Sequence, residues 1–235
     1  MSYEKKNSGI NRSRNIPVAK TIEEANSIAV RIGIAKEANF EGISVENANI
    51  VIKEIAEAKE KFGLDALDYV GNKEYSIVKD DVTDKHVAMF YATEHNDGSH
   101  EYGIVLNDEY FSTGGAEKHK ADFIRAVERR FHPRGTGTSK GFVDHEIGHW
   151  IAYSAGDKIT NDKLISGLYN RYHEVGNEKG YGLGRIRMKL SSYANVDKDE
   201  FIAEAWGEYK NNIYSRPLAR RIARRMEKIY NESGT

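Results

Sequence analysis

Cysteine is absent from this chain of 235 residues. That removes disulfides and thiolate metal ligands from consideration and leaves the redox compartment open. Long apolar runs are missing as well, and none approaches the ~20 residues needed to cross a bilayer. The opening segment, Met1 to Arg14, carries charge without an apolar stretch, so no signal peptide is expected there. A strong charge of either sign is also lacking. The formal net charge of −1 provides no general field for nucleic acid, so neither nucleic acid nor membrane is an expected partner. The local exception is Arg216, Arg220, Arg221, Arg224, Arg225 and Lys228, spaced along one helix face opposite Leu218, Ile222 and Ile229. Such a face is ordinarily solvated; the alternative is a docking surface for an acidic partner.

Against these absences, the run Val143-Asp-His-Glu-Ile-Gly-His-Trp150 carries the chemistry. His145, Glu146 and His149 match H-E-x-x-H. On a helix, positions i and i+4 project from one face, so both imidazoles reach one cation with the glutamate beside it. Metal-assisted hydrolysis needs that set: neutral nitrogen ligands, an open position, and a carboxylate to take a proton from water. Val143, Ile147, Trp150 and Ile151 form an apolar stripe at helical spacing, and Ser139 is placed to cap the start. Gly148 costs about 1 kcal/mol relative to alanine inside a helix, and its presence predicts that another backbone passes close by.

A catalytic zinc usually takes a third protein ligand. The extended scheme H-E-x-x-H-x-x-G-x-x-H is excluded, because Ala152 and Ala155 occupy its glycine and last histidine positions. The other scheme takes a glutamate from a later helix. Ser191 to Tyr209 supplies one, capped by Asp197 or Asn195, with Phe201, Ile202, Ala205 and Trp206 on its apolar side. Glu200 and Glu204 stand at i and i+4, where mutual repulsion calls for a cation or ligating histidines nearby. Either glutamate is a candidate ligand. Glu208 reads as an ordinary solvated acid, and His173 and Glu174 as surface positions of a connecting helix.

Together, His145-Glu-Ile-Gly-His149 and Ser192-Tyr-Ala…Asp-Glu-Phe-Ile-Ala-Glu-Ala-Trp206 resemble the zincin metallopeptidases. The likeness is to the anthrax lethal factor catalytic domain and the bacterial Pro-Pro endopeptidases, over roughly a third of the chain. The resemblance implies one Zn²⁺ held by His145, His149 and Glu200, with Glu146 as general base. It implies that Tyr193 hydrogen-bonds the tetrahedral oxyanion and that Glu204 orients a ligand histidine. Isoleucine at 202 and tryptophan at 206 depart from the pattern without removing a donor or ligand.

Upstream, residues 1–19 read as a flexible polar arm and residues 20–235 as one catalytic domain, of which 20–63 form a helical annex. Thr21-Ile-Glu-Glu24 opens a helix to about Lys36; a second starts at Gly42–Glu46 and ends near Phe62-Gly63. This pair is similar to segments preceding metallopeptidase domains in phage-encoded proteins. Strands follow at Tyr75–Lys79, His86–Ala92 and Tyr102–Leu106, punctuated by Asn96-Asp-Gly98 and Asn107-Asp108, and then a helix near Ala116–Phe131. The expected class is α+β, zincin-like: a small twisted mixed sheet, then the active-site helix and a helical C-terminal subdomain. The edge of that sheet would bind extended peptide by β-addition. The expected function is a zinc endopeptidase acting on protein or peptide, either cytoplasmic or, if phage-encoded, virion-associated. The alternatives are a virion-associated binding protein that retains the fold and a zinc hydrolase of non-peptide bonds.

Overall fold

The computed structural model of the chain describes residues 16–83, 85–174 and 184–233. Thr21 opens α1 (Ile22–Arg31): its hydroxyl accepts from the Glu24 amide at 3.2 Å, and Glu24 accepts from the Lys20 amide at 2.6 Å. The predicted continuation to Lys36 does not occur. Gly33 takes φ +72°, and the Ile34 amide returns to the Ala29 carbonyl at 3.1 Å, a left-handed helix stop. The chain then forms β1 (Ala35–Asn39). Ser44 caps α2 (Val45–Phe62), which ends at Gly63 in the left-handed region, φ 63°. Besides these two helices, residues 20–63 supply a strand of the main sheet. Ala19, the last residue of the expected polar arm, is buried, and its amide donates to Asn49 at 2.8 Å. Residues 1–15 of that arm lie outside the described residues.

β2 (Leu67–Asn72), β3 (Ala88–Glu94) and β4 (His100–Leu106) join β1 in a four-stranded sheet ordered β1-β2-β4-β3. The first three in that order run parallel, and β3 pairs antiparallel with β4 through the turn at His95–Ser99. β3 is therefore an edge strand. The predicted strand at Tyr75–Lys79 is a correction: Asn72 caps a short 3₁₀ turn over Lys73–Tyr75, its side chain accepting from the Glu74 amide. Turn-directing side-chain bonds outweighed the β preference of Tyr-Ser-Ile-Val.

After β4 come α3 (Asp108–Phe111) and α4 (Gly115–Glu128), then α5 (Ser139–Ser154), capped by Thr138 rather than Ser139. The remaining helices are α6 (Asp157–Thr160), α7 (Lys163–Tyr172), α8 (Arg185–Lys189), α9 (Lys198–Asn211) and α10 (Pro217–Ser233). The class is mixed α+β, and no described helix is long and apolar enough to cross a membrane.

α5 packs on α2, α9 and β3, and it is buried on nearly every side. One hydrophobic cluster joins Ile52, Ile55 and Phe62 of α2 to Trp150 of α5 and Trp206 of α9. Gly148 makes the α5–α9 contact feasible: a Cβ there would sit 2.8 Å from the Ala203 Cα and 3.2 Å from the Trp206 Cβ. The backbone approach expected from that glycine is thus the approach of α9. Glu208 is a correction. It is fully buried and paired with Arg216, whose Nε lies 2.9 and 3.0 Å from its two oxygens. Arg216 accordingly does not belong to a solvated basic face, whereas Arg221 and Arg224 are exposed.

Candidate metal centre

α5 presents His145 and His149 on one face, with their Nε2 atoms 3.1 Å apart. Two imidazole lone pairs at that distance repel unless a proton or cation lies between them. α9 brings Glu200 over the same face: its Oε2 is 3.1 Å from His145 Nε2 and 3.5 Å from His149 Nε2. Asp197 starts α9 one turn earlier by accepting from the Glu200 amide at 2.8 Å, which fixes where the carboxylate emerges. On the other side of the imidazole, His145 Nδ1 lies 3.0 Å from Glu204 Oε1. Of the two candidate glutamates, Glu200 therefore faces the paired Nε2 atoms and Glu204 stands behind one ring.

His145, Glu146 and His149 form a group of ligating side chains close enough to hold an ion, with donor atoms within 4.8 Å of one another. The tighter triangle is His145, His149 and Glu200. Bonds of ~2.0–2.1 Å in a tetrahedral shell put neighbouring donors ~3.3–3.4 Å apart, so this spacing suits a small divalent cation. Glu200 Oε2 is buried without any hydrogen bond that meets normal geometry, as expected of an atom that serves an ion. Glu146 is differently committed: its Oε2 accepts from the Phe90 amide of β3 at 2.7 Å. No sequence signal pointed to that main-chain donor.

The electrostatics favour positive charge. Burial alone would depress the proton affinity of His145, but Glu200, Glu204 and Glu146 around it raise its pKa well above the usual histidine value. Burial would likewise raise Glu200; the two histidines overcome that and hold it far below the ordinary carboxylate range. Next to His145, burial and the nearby Glu54 push Asp144 up to about 6. Its side chain accepts from Asn211 of α9 at 2.8 Å and from Lys140, pinning the helices from behind.

Tyr193 lies in a short 3₁₀ turn before α9, with its ring centroid 6.1 Å from that of His145. Burial, and then Glu200 beside its hydroxyl, push its pKa upward, so it stays a hydrogen-bond donor at neutral pH. These groups line a cavity of about 420 Å³ that also takes in Phe90, Phe131, His132 and Phe142. A second hollow of about 510 Å³, lined by Ala92, Tyr153, Asp157 and Asp199, shares Phe90 and His149 with the first. The two hollows thus adjoin at Phe90 of edge strand β3 and at His149, an interrupted groove beside the histidine pair.

His173 and Glu174 are half-buried just past the end of α7. Glu174 exchanges backbone bonds with the Asn195 side chain at 3.0 and 3.1 Å, tying the end of α7 to the turn that carries Tyr193. Comparison with protein-family models, with curated proteins and with solved structures returned no match.

Proposed function

We propose that this chain is a zinc-dependent endopeptidase with a zincin-like fold, and that His145, His149 and Glu200 hold the ion. The observation that carries this reading is the convergence of two histidine Nε2 atoms and one buried carboxylate oxygen at 3.1–3.5 Å, with Glu146 standing just outside it. Two imidazoles and one carboxylate suit zinc best among the common divalent metals. Bound there, zinc would lower the pKa of a water molecule towards neutrality and polarise the scissile carbonyl.

The protein's own groups then have separable tasks. Glu146 accepts the proton of the attacking water and passes it to the departing amine. Glu146 lines the groove and one of its oxygens is anchored by the Phe90 amide, which limits how the side chain can turn. Tyr193 donates to the oxygen that gains negative charge, an interaction that matters mainly in the transition state. β3 borders the groove as an unpaired edge, which supports binding of an extended peptide by strand addition. A purely structural ion would have no use for Glu146 or Tyr193.

The test is zinc stoichiometry followed by cleavage of a peptide library, with Glu146→Gln as control. One zinc per chain, with cleavage abolished in the variant, is the expected result. One zinc without cleavage of any peptide would favour a binding protein that keeps the fold, and no zinc at all would end the reading.

A further inference from the structure

His132 reaches the histidine–glutamate cluster from a segment that carries no motif. Its placement is enforced. Arg130 adopts φ 57°, in the left-handed region that a residue with a β-carbon avoids, and so turns the chain out of α4. The Arg130 and Phe131 carbonyls accept from the Ser192 and Tyr193 amides at 2.7 and 3.1 Å. Two main-chain bonds thus clip the His132 segment to the Tyr193 segment. The imidazole stands edge-on among Phe131, Phe142 and Tyr193, with ring centroids 4.9, 5.5 and 5.6 Å away.

From there His132 Nδ1 lies 3.2 Å from Glu204 Oε1, the same oxygen that His145 Nδ1 approaches to 3.0 Å. The Glu204 side chain is 1% exposed, and its other oxygen has no hydrogen-bond partner. A carboxylate this deeply buried stays ionised only if donors reach it. Two imidazole N–H groups on one oxygen meet that need.

We propose that His132 is a positioning residue for the metal centre, acting through Glu204 to hold the His145 ring with Nδ1 protonated and Nε2 bare towards the ion. The proposal rests on the zinc reading above. Ligand histidines keep their tautomer through a partner on the second nitrogen, and losing such a partner typically weakens metal binding 10- to 100-fold. His132 stabilises that partner rather than the ligand, which makes a chain of His132, Glu204 and His145.

A packing role and a positioning role predict opposite orders for two substitutions. His132→Phe keeps an aromatic ring among Phe131, Phe142 and Tyr193 but removes the donor. His132→Asn loses the ring yet places an amide N–H where Nδ1 stood. Zinc affinity, measured by competition with a chromophoric chelator, is expected to fall about 10- to 100-fold in H132F and to stay close to wild type in H132N. Equal affinities in all three proteins, or the reverse order, overturn the proposal while leaving zinc binding intact. Absence of zinc binding by the wild type overturns the zinc reading and the proposal together. Should the variants fail to fold, histidine-selective NMR of the zinc-loaded wild type decides the matter. Nδ1 protonation of His132 supports the assignment, and an Nε2-protonated ring overturns it.

Discussion

The main-chain amide of Phe90 on edge strand β3 donates to Glu146 Oε2 across 2.7 Å. Phe90 faces Ile104 in the antiparallel ladder, but its N–H points away from β4 and towards α5. Phe90→Pro would therefore remove the donor without cutting a ladder bond, a substitution that edge strands tolerate. A hydrogen bond to a charged group contributes about 1.5–3 kcal/mol, so kcat on a cleavable peptide should fall about 10- to 100-fold with zinc content unchanged. An unaltered kcat would remove the amide from the mechanism.

On the proposed reading, Glu146→Gln and Tyr193→Phe separate the base from the oxyanion donor. The first should retain zinc and lose about 10²- to 10⁴-fold in kcat. The second should lose about 10²- to 10³-fold in kcat, again with full zinc content. His149→Ala, by contrast, should lose the metal itself. Zinc analysis beside steady-state kinetics reads all three, and full zinc occupancy in the alanine variant would contradict the ligand set.

Gly148→Ala tests how closely the two helices must approach. Alanine is the better helix former by about 1 kcal/mol. Its methyl group would nevertheless meet the Ala203 backbone at 2.8 Å, and overpacking of this kind costs about 1–3 kcal/mol. Net destabilisation in urea together with weaker zinc binding is expected, because α9 carries Glu200. A stabilised variant with unchanged affinity would show that the interface yields without cost.

Asp162 provides a pH test that involves none of the proposed ligands. Its side chain accepts from the Leu164 and Ile165 amides at 3.0 and 3.1 Å and from Arg225 at 2.7 Å, joining α7 to α10. Burial would raise its pKa, but Arg225 and the two amides outweigh that and hold it below the ordinary carboxylate value. The folded state thus binds this proton less tightly than the unfolded chain. The associated stability is present above the ordinary value of about 3.9 and is lost as pH falls through the lower folded pKa. Asp162→Ala should cost about 1–2 kcal/mol near neutrality, and the gap in Tm from wild type should narrow below about pH 4. A gap independent of pH would show that the carboxylate's charge contributes nothing.

The cluster was legible because its signals are local. H-E-x-x-H needs only one helical turn, and Glu200 and Glu204 sit one turn apart on a helix whose cap, Asp197, is equally local. The sheet was harder to read. β1 hides behind the helical pattern that ends at Gly33, and β2 contains Asp68, Gly71 and Asn72, which are poor strand formers. Asp68 is tolerated there because it accepts from the Tyr102 amide at 2.9 Å and from Lys36 at 2.6 Å, contacts that exist only after folding. The roles of Phe90 and His132 are invisible for the same reason. The first is a backbone group, and the second depends on a left-handed arginine and a clip to residues far along the chain. Glu208 misled because only its half-buried partner, Arg216, reveals why an acid sits on the inner face.

The order of the elements along the chain carries a consequence for biosynthesis. β1 to β4 and α5 leave the ribosome well before α9, so a nascent chain exposes two imidazoles with neither Glu200 nor Tyr193 to accompany them. On the proposed reading, such an intermediate holds zinc weakly and lacks the oxyanion donor. Proteolytic power would then arise only when the segment carrying Tyr193 and α9 has been made and packed, which spares the crowded surroundings of translation from a half-built protease.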